Sequence, residues 1–487
     1  MHRSMGLKQK TTSGLFWSFT DLISNQGIQF ILQVILARIL LVKDFGLIGM
    51  ITIFIALANS IVDSGFSQVL IREPELKQDD YSTVFFFNLS LAVGLYLVLF
   101  FSSSIISEFF SEPQLVLILR VLSLVVIINS FGIVQRVMLV RNIDFKTQAK
   151  ISLVASISSG MIAVFLAYFG FGVWSLVFRT LIMQFMSAFL LSLHNKWKPT
   201  LIFRQRSFFR FFNCGSRLLV AGLINTIYNN LYFVIIGRFF STLDLGYYTN
   251  ASKLETAASV SITGALQRVS YPVLCSMQKN ENRLREGFSK IIRTSAFLVF
   301  PLMVFLAAVA DNLIKFLFGD KWLTSIPYFQ ILCIAGMLYP LHAINLNILQ
   351  VKGRTDLFLR LEIIKKTIFT ITIIVSLLLD LGIIGLVWVM VINSYFAYFV
   401  NTLYSGKMIS YSFRDQLKDV IPAFGLSFIM GILVYLAGMF ISNGVLFKLI
   451  FQLFIGITTY ICLCKLFKVR EISIVRNLLF SILKRKE

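Results

Sequence analysis

Apolar residues in this chain gather into runs of about 20 or more, separated by short polar turns. That length is what a helix rising 1.5 Å per residue needs to cross a hydrocarbon core. The runs fall at 14–36, 45–70, 82–106, 115–138, 149–169, 172–193, 216–238, 246–274, 288–310, 325–349, 360–379, 383–405, 417–440 and 445–467. They predict an all-α integral membrane protein of about 14 transmembrane helices, with both ends on one side of the bilayer.

The basic residues give that arrangement an orientation. Of the 45 Lys and Arg residues, 36 lie in the N-terminus, the even-numbered loops and the C-terminal tail or in the ends of the spans that flank them. Positive charge accumulates on the cytoplasmic side, so both termini are expected there. The basic stretch from Met1 to Lys10 is followed by no small-residue cleavage site, and it reads as a retained cytoplasmic end.

Polar positions within the runs are unevenly distributed. Asp21, Asn25, Gln29 and Gln33 recur every fourth residue and draw one polar stripe along the first span. The second span carries Asn59 and Asp63, and the seventh carries Arg217, Asn225, Asn229 and Asn230. The eighth carries Lys253, Glu255, Thr256, Gln267 and Arg268. A charge at mid-membrane costs on the order of 2.5–3.5 kcal/mol on insertion scales, so each needs a reason.

One reason is a water-filled cavity lined by spans 1, 2, 7 and 8. The amides Asn25, Gln29, Asn59, Asn225 and Asn229 would face a polar substrate there, and Arg217, Lys253 and Arg268 would attract phosphate. Asp21, Asp63 and Glu255 are then the candidates for coupling to an ion. The other reason is interhelical hydrogen bonding that only ties the bundle together. Arg217 and Arg268 can equally snorkel to an interface. His342 and Asn345 read as packing groups.

A repeat organises the spans. Residues 25–46 align without gaps onto 225–246, matching Asn25/Asn225, Val34/Val234, Ile35/Ile235, Arg38/Arg238, Asp44/Asp244 and Gly46/Gly246. A weaker echo pairs Asp144-Phe145 with Asp356-Leu357. The chain is therefore expected to divide into 1–194 (spans 1–6), a basic amphipathic linker at 195–215, 216–406 (spans 7–12), 407–467 (spans 13 and 14) and a basic amphipathic tail at 468–487. In that tail Ile472, Val475, Leu479 and Ile482 share a helical face, and its basic residues are expected among the headgroups of membrane lipids.

Composition narrows the chemistry. The chain is 57% hydrophobic and only 14% charged, so lipid is its solvent. Its net charge of +22 is scattered over short loops, which is membrane topology and not a nucleic-acid surface. Five cysteines and three histidines show no zinc spacing, so no metal is expected. The lack of a Walker A signature speaks against direct ATP hydrolysis, and the lack of Asp-x-Asp and of a large odd-numbered loop against a glycosyltransferase or a polysaccharide polymerase; no cofactor is expected.

Several segments carry a family resemblance: Phe45-Gly46-Leu47, Gly65-Phe66-Ser67 running to Arg72, and Arg141 to Lys146. With them go Gly170 to Val177, Trp197-Lys198-Pro199, Ile236 to Phe239, Leu245 to Tyr248, and Leu266 to Pro272. In that order they make the chain resemble bacterial polysaccharide and O-antigen (lipopolysaccharide) flippases, in the branch associated with colanic acid and teichuronic acid export. The wider superfamily also contains multidrug exporters and the peptidoglycan-precursor flippase.

The resemblance implies two six-helix lobes in a V shape plus two C-terminal helices, in the bacterial inner membrane. It also implies alternating access that moves an undecaprenyl-pyrophosphate-linked oligosaccharide to the periplasmic leaflet. An ion gradient, of protons or a monovalent cation, would drive it, with other polysaccharide-assembly proteins as partners. An exporter of drugs or small solutes on the same fold is the alternative.

Overall fold

The computed structural model describes residues 7–63, 65–73, 75–441, 444–469 and 471–472, and some of these, Asp21, Arg217 and Arg268 among them, only in their backbone. Every regular element among the described residues is helical. In lipid this is expected, because a helix satisfies its backbone N–H and C=O groups internally.

Two compact units divide the chain, Met1–Thr249 and Asn250–Glu487. The first holds α1 (Leu7–Ile39), α2 (Val42–Asp63), α3 (Phe66–Arg72), α4 (Gln78–Phe110), α5 (Leu115–Leu122), α6 (Leu124–Arg141), α7 (Phe145–Tyr168), α8 (Val173–Asn195) and α9 (Gln205–Phe239). Helix α10 (Thr242–Met277) begins in the first unit and continues in the second. The second unit adds α11 (Glu281–Ala308), α12 (Ala310–Phe318), a short 3-10 turn, α13 (Ile326–Gly336), α14 (Tyr339–Val351), α15 (Thr355–Leu378), α16 (Gly382–Met408), α17 (Phe413–Phe440) and α18 (Val445–Leu466).

Each apolar run lies largely in one of these helices or in a broken pair such as α13 and α14. Among the described residues, 11 helical stretches can cross a membrane by length and composition. Helices α1, α10 and α15, at 33, 36 and 24 residues, fall outside that set.

Local chemistry explains part of the repeat. Asp44 turns back to accept a hydrogen bond from the Leu41 amide at 3.0 Å, and Asp244 accepts from the Ser241 amide at 3.3 Å. The matched aspartates thus cap matched helix starts. The weaker echo differs: Asp144 caps α7 through the Thr147 amide at 3.1 Å, whereas Asp356 forms a bidentate pair with Arg354.

The expected linker 195–215 separates into two parts. Residues 196–204 run extended along α4, with the Trp197 indole donating to Gln78 at 2.7 Å and the Arg204 amide to Thr83 at 3.0 Å. From Gln205 the chain is already α9, and Phe211 is fully buried among Phe66, Leu70 and Phe85. Spans 13 and 14 pack into the second unit, α17 on α11 and α18 on α17. Asn312 on α12 donates to Gln452 on α18 at 3.0 Å. Of the expected tail, Val469 and Ile472 pack near Phe297, and Glu471 pairs with Arg293 at 3.5 Å. Val475, Leu479 and Ile482 lie outside the described residues.

Candidate functional site

In the first unit the polar stripe of α1 faces α7 and α8. Ser156 on α7 donates to Asn25 Oδ1 at 2.7 Å, and Gln29 Nε2 donates to Ser156 Oγ at 3.3 Å. The Gln29 carbonyl accepts from the guanidinium of Arg179 on α8. Arg179 is half-buried, and no carboxylate lies within ion-pair distance of it among the described residues. The result is a run of amide, hydroxyl and guanidinium groups held by three helices. With five N–H donors and one bonded to Gln29, its guanidinium keeps donors for an anion.

Asn59 on α2 has a different partner. Asn129 on α6 donates to its Oδ1 at 3.0 Å, and its own Nδ2 donates to the Ile55 carbonyl at 3.0 Å. Asp63 ends α2 at a break where Gly65 takes a φ of +69°, a left-handed conformation that glycine adopts without strain. Its carboxylate accepts from Ser67, and Arg136 on α6 interacts with its charge. Asn225 and Asn229 on α9 are exposed, and Arg217 and Asp21 lie outside the residues whose side chains are described.

The second unit contributes a buried carboxyl. Glu255 on α10 is 3% exposed; its Oε1 has no hydrogen-bond partner, and Oε2 accepts from Thr256 at a long 3.5 Å. Ser259, one turn on, is also buried with its hydroxyl unpartnered. Both sit against Gly336 at the end of α13, where the tenth span breaks before α14. Lys253 is exposed, and the Arg268 side chain lies outside the described set.

Deeper in this unit Gln416 Nε2 donates to Asn345 Oδ1 at 3.0 Å, and Ser405 donates to the same oxygen at 2.5 Å. Asn345 and His342, which contacts Ser394 at 3.1 Å, are thus satisfied by protein groups. A separate cavity of about 480 Å³ lies between the starts of α11 and α17. Its Arg285 and Arg293 face Asp415 and Asp419 at 3.9 and 4.0 Å.

Sequence reasoning missed Arg179, Arg136, Asn129, Ser156 and Gly336. The two arginines were findable, since a basic residue inside an apolar run is a signal in itself. Ser156 and Gly336 have no such signal, because their roles arise only from the helices facing them.

The family described as "Polysaccharide biosynthesis protein" matches residues 35–327. The chain is 25% identical to the teichuronic acid biosynthesis protein TuaB of Bacillus subtilis, over 88% of this chain and 89% of that protein. It is 24% identical to the lipopolysaccharide biosynthesis protein WzxC of Escherichia coli, again over 88% and 89%. Its fold is similar to a structure of the lipid II flippase MurJ in an inward closed conformation, with a TM-score of 0.73 at 16% identity, covering 94% of this chain and 98% of that one.

Proposed function

The chain belongs to the polysaccharide biosynthesis protein family, and from that premise we propose that it is a flippase for undecaprenyl-pyrophosphate-linked oligosaccharides. It carries them from the cytoplasmic to the periplasmic leaflet of the inner membrane, with both termini in the cytoplasm. The observation that carries this reading is Arg179, a guanidinium within a membrane-spanning helix that has no acidic partner among the described residues and sits beside Gln29, Ser156 and Asn25. Amides and hydroxyls suit sugar hydroxyls, and the guanidinium suits a pyrophosphate.

Of the ion-coupling candidates, Glu255 fits best, because its Oε1 is buried and unpartnered. Asp63 already accepts a bond from Ser67. A proton or monovalent cation arriving at Glu255 would complete it. Deletion of the gene in a strain with no second flippase tests the reading. Lipid-linked oligosaccharide should accumulate facing the cytoplasm, and surface glycan should be lost. Ordinary surface glycan in that strain would overturn the proposal, and loss of drug efflux alone would favour a small-solute exporter.

A further inference from the structure

The start of α2 and the start of α10 cross in a reciprocal contact within the first unit. A methyl built on Gly46 would come 2.0 Å from the carbonyl oxygen of Thr242, and one built on Gly246 would come 2.2 Å from the carbonyl oxygen of Val42. Val42 and Thr242 are themselves related by the 200-residue shift. Each glycine therefore rests on the first residue of the other helix, as a local two-fold relation demands. Gly49 extends the seam, where a methyl would meet Thr249 Oγ1 at 2.9 Å. The crossing brings backbone against backbone, and apolar side chains close around it: Phe45, Leu47, Met50 and Leu245 are all buried there.

One side chain ties the crossing together. Glu112, in the turn between α4 and α5, receives the Lys43 ammonium of α2 at 3.1 Å and the Thr242 hydroxyl of α10 at 2.5 Å. Its backbone is fixed, its amide donating to the Ser107 carbonyl at 3.1 Å and its carbonyl accepting from the Ser107 hydroxyl at 2.8 Å. The Arg238 guanidinium, at the end of α9, donates to the Phe109 carbonyl at 2.6 Å beside it. These turns share one end of the unit. The opposite end holds the ion pairs of Arg204 and Arg210 with Asp79, Glu73 and Asp80.

We propose that Glu112 is the latch of an outer gate formed by the starts of α2 and α10, and that its bonds to Lys43 and Thr242 break each time the gate opens. The word "outer" rests on the proposed orientation, in which the basic end is cytoplasmic. The latch itself does not depend on which substrate is carried. Glu112 acts through the two helices it joins and is a positioning residue.

Spin labels on non-natural residues at Leu41 and Leu243, both exposed beside the crossing, report its opening by pulsed distance measurement in the purified full chain. Glu112→Ala should raise the longer-distance population above its wild-type share. Glu112→Gln, which keeps a bond to Thr242 but loses the charge facing Lys43, should raise it less. Gly46→Ala should open the crossing from the other side of the contact. A wild-type distance distribution in Glu112→Ala overturns the latch. If that variant does not fold, Glu112→Gln and Lys43→Ala decide in the same way. The measurement needs no substrate, so failure of the flippase reading would leave it standing.

Discussion

Glu255 and Gly336 face each other so closely that a methyl on Gly336 would lie 2.1 Å from the carboxyl oxygen Oε1. The glycine is thus the floor of the Glu255 site. Overpacking of this kind costs about 1–3 kcal/mol. Gly336→Ala should lower the melting temperature of the purified protein, and Glu255→Ala in the same chain should recover part of the loss. Additive effects of the two changes would separate the residues.

Arg179 makes the sharpest prediction for substrate handling. Replacing it with Gln removes the cation but keeps a donor for Gln29. The initial rate of flipping in proteoliposomes should fall tenfold or more, the equivalent of about 1.4 kcal/mol. Arg179→Lys should retain part of the rate, since it keeps charge and loses only the planar fork. A wild-type rate in Arg179→Gln, with unchanged melting, would make the arginine a tie between α1 and α8.

How far these sites were legible in the sequence varies by residue. Asp44/Asp244 and Gly46/Gly246 stood out in the repeat because capping and close backbone approach each constrain the residue type. The stripe of Asn25 and Gln29 was visible from its fourfold spacing, but periodicity cannot say which helix the stripe faces. Its partners Ser156 and Arg179 are 131 and 150 residues away from them in sequence. The start of α9 was hidden for a related reason. A Phe-rich basic stretch has the same pattern whether it lies on a membrane surface or extends a span, and burial of Phe211 against Phe66 decides it here.

Coupling separates the two described candidates, Glu255 and Asp63. Glu255→Gln should abolish the dependence of flipping on an imposed proton or cation gradient while leaving the protein folded. Asp63→Asn should be milder, since an amide can still accept from Ser67. Gradient-driven flipping at the wild-type rate in Glu255→Gln would remove Glu255 from the coupling path.

The strap 196–204 and the first turns of α9 that follow it allow packing and charge to be compared on one segment. Arg204 and Arg210 reach Asp79, Glu73 and Asp80, but both arginines are about half exposed at 53% and 48%. Ion pairs so open to solvent contribute about 0–1 kcal/mol, because water competes and two long side chains must be held still. Phe211, by contrast, is fully buried in the cluster of Phe66, Val69, Leu70 and Phe85. Truncating a buried Phe to Ala costs about 3–5 kcal/mol through lost contact and the cavity left behind. Thermal or denaturant unfolding in detergent should therefore show a large loss for Phe211→Ala and a small one for Arg204→Ala. Raised salt should erase the small loss and leave the large one in place. The reverse ranking would mean that charge, not the aromatic cluster, holds the strap on α4.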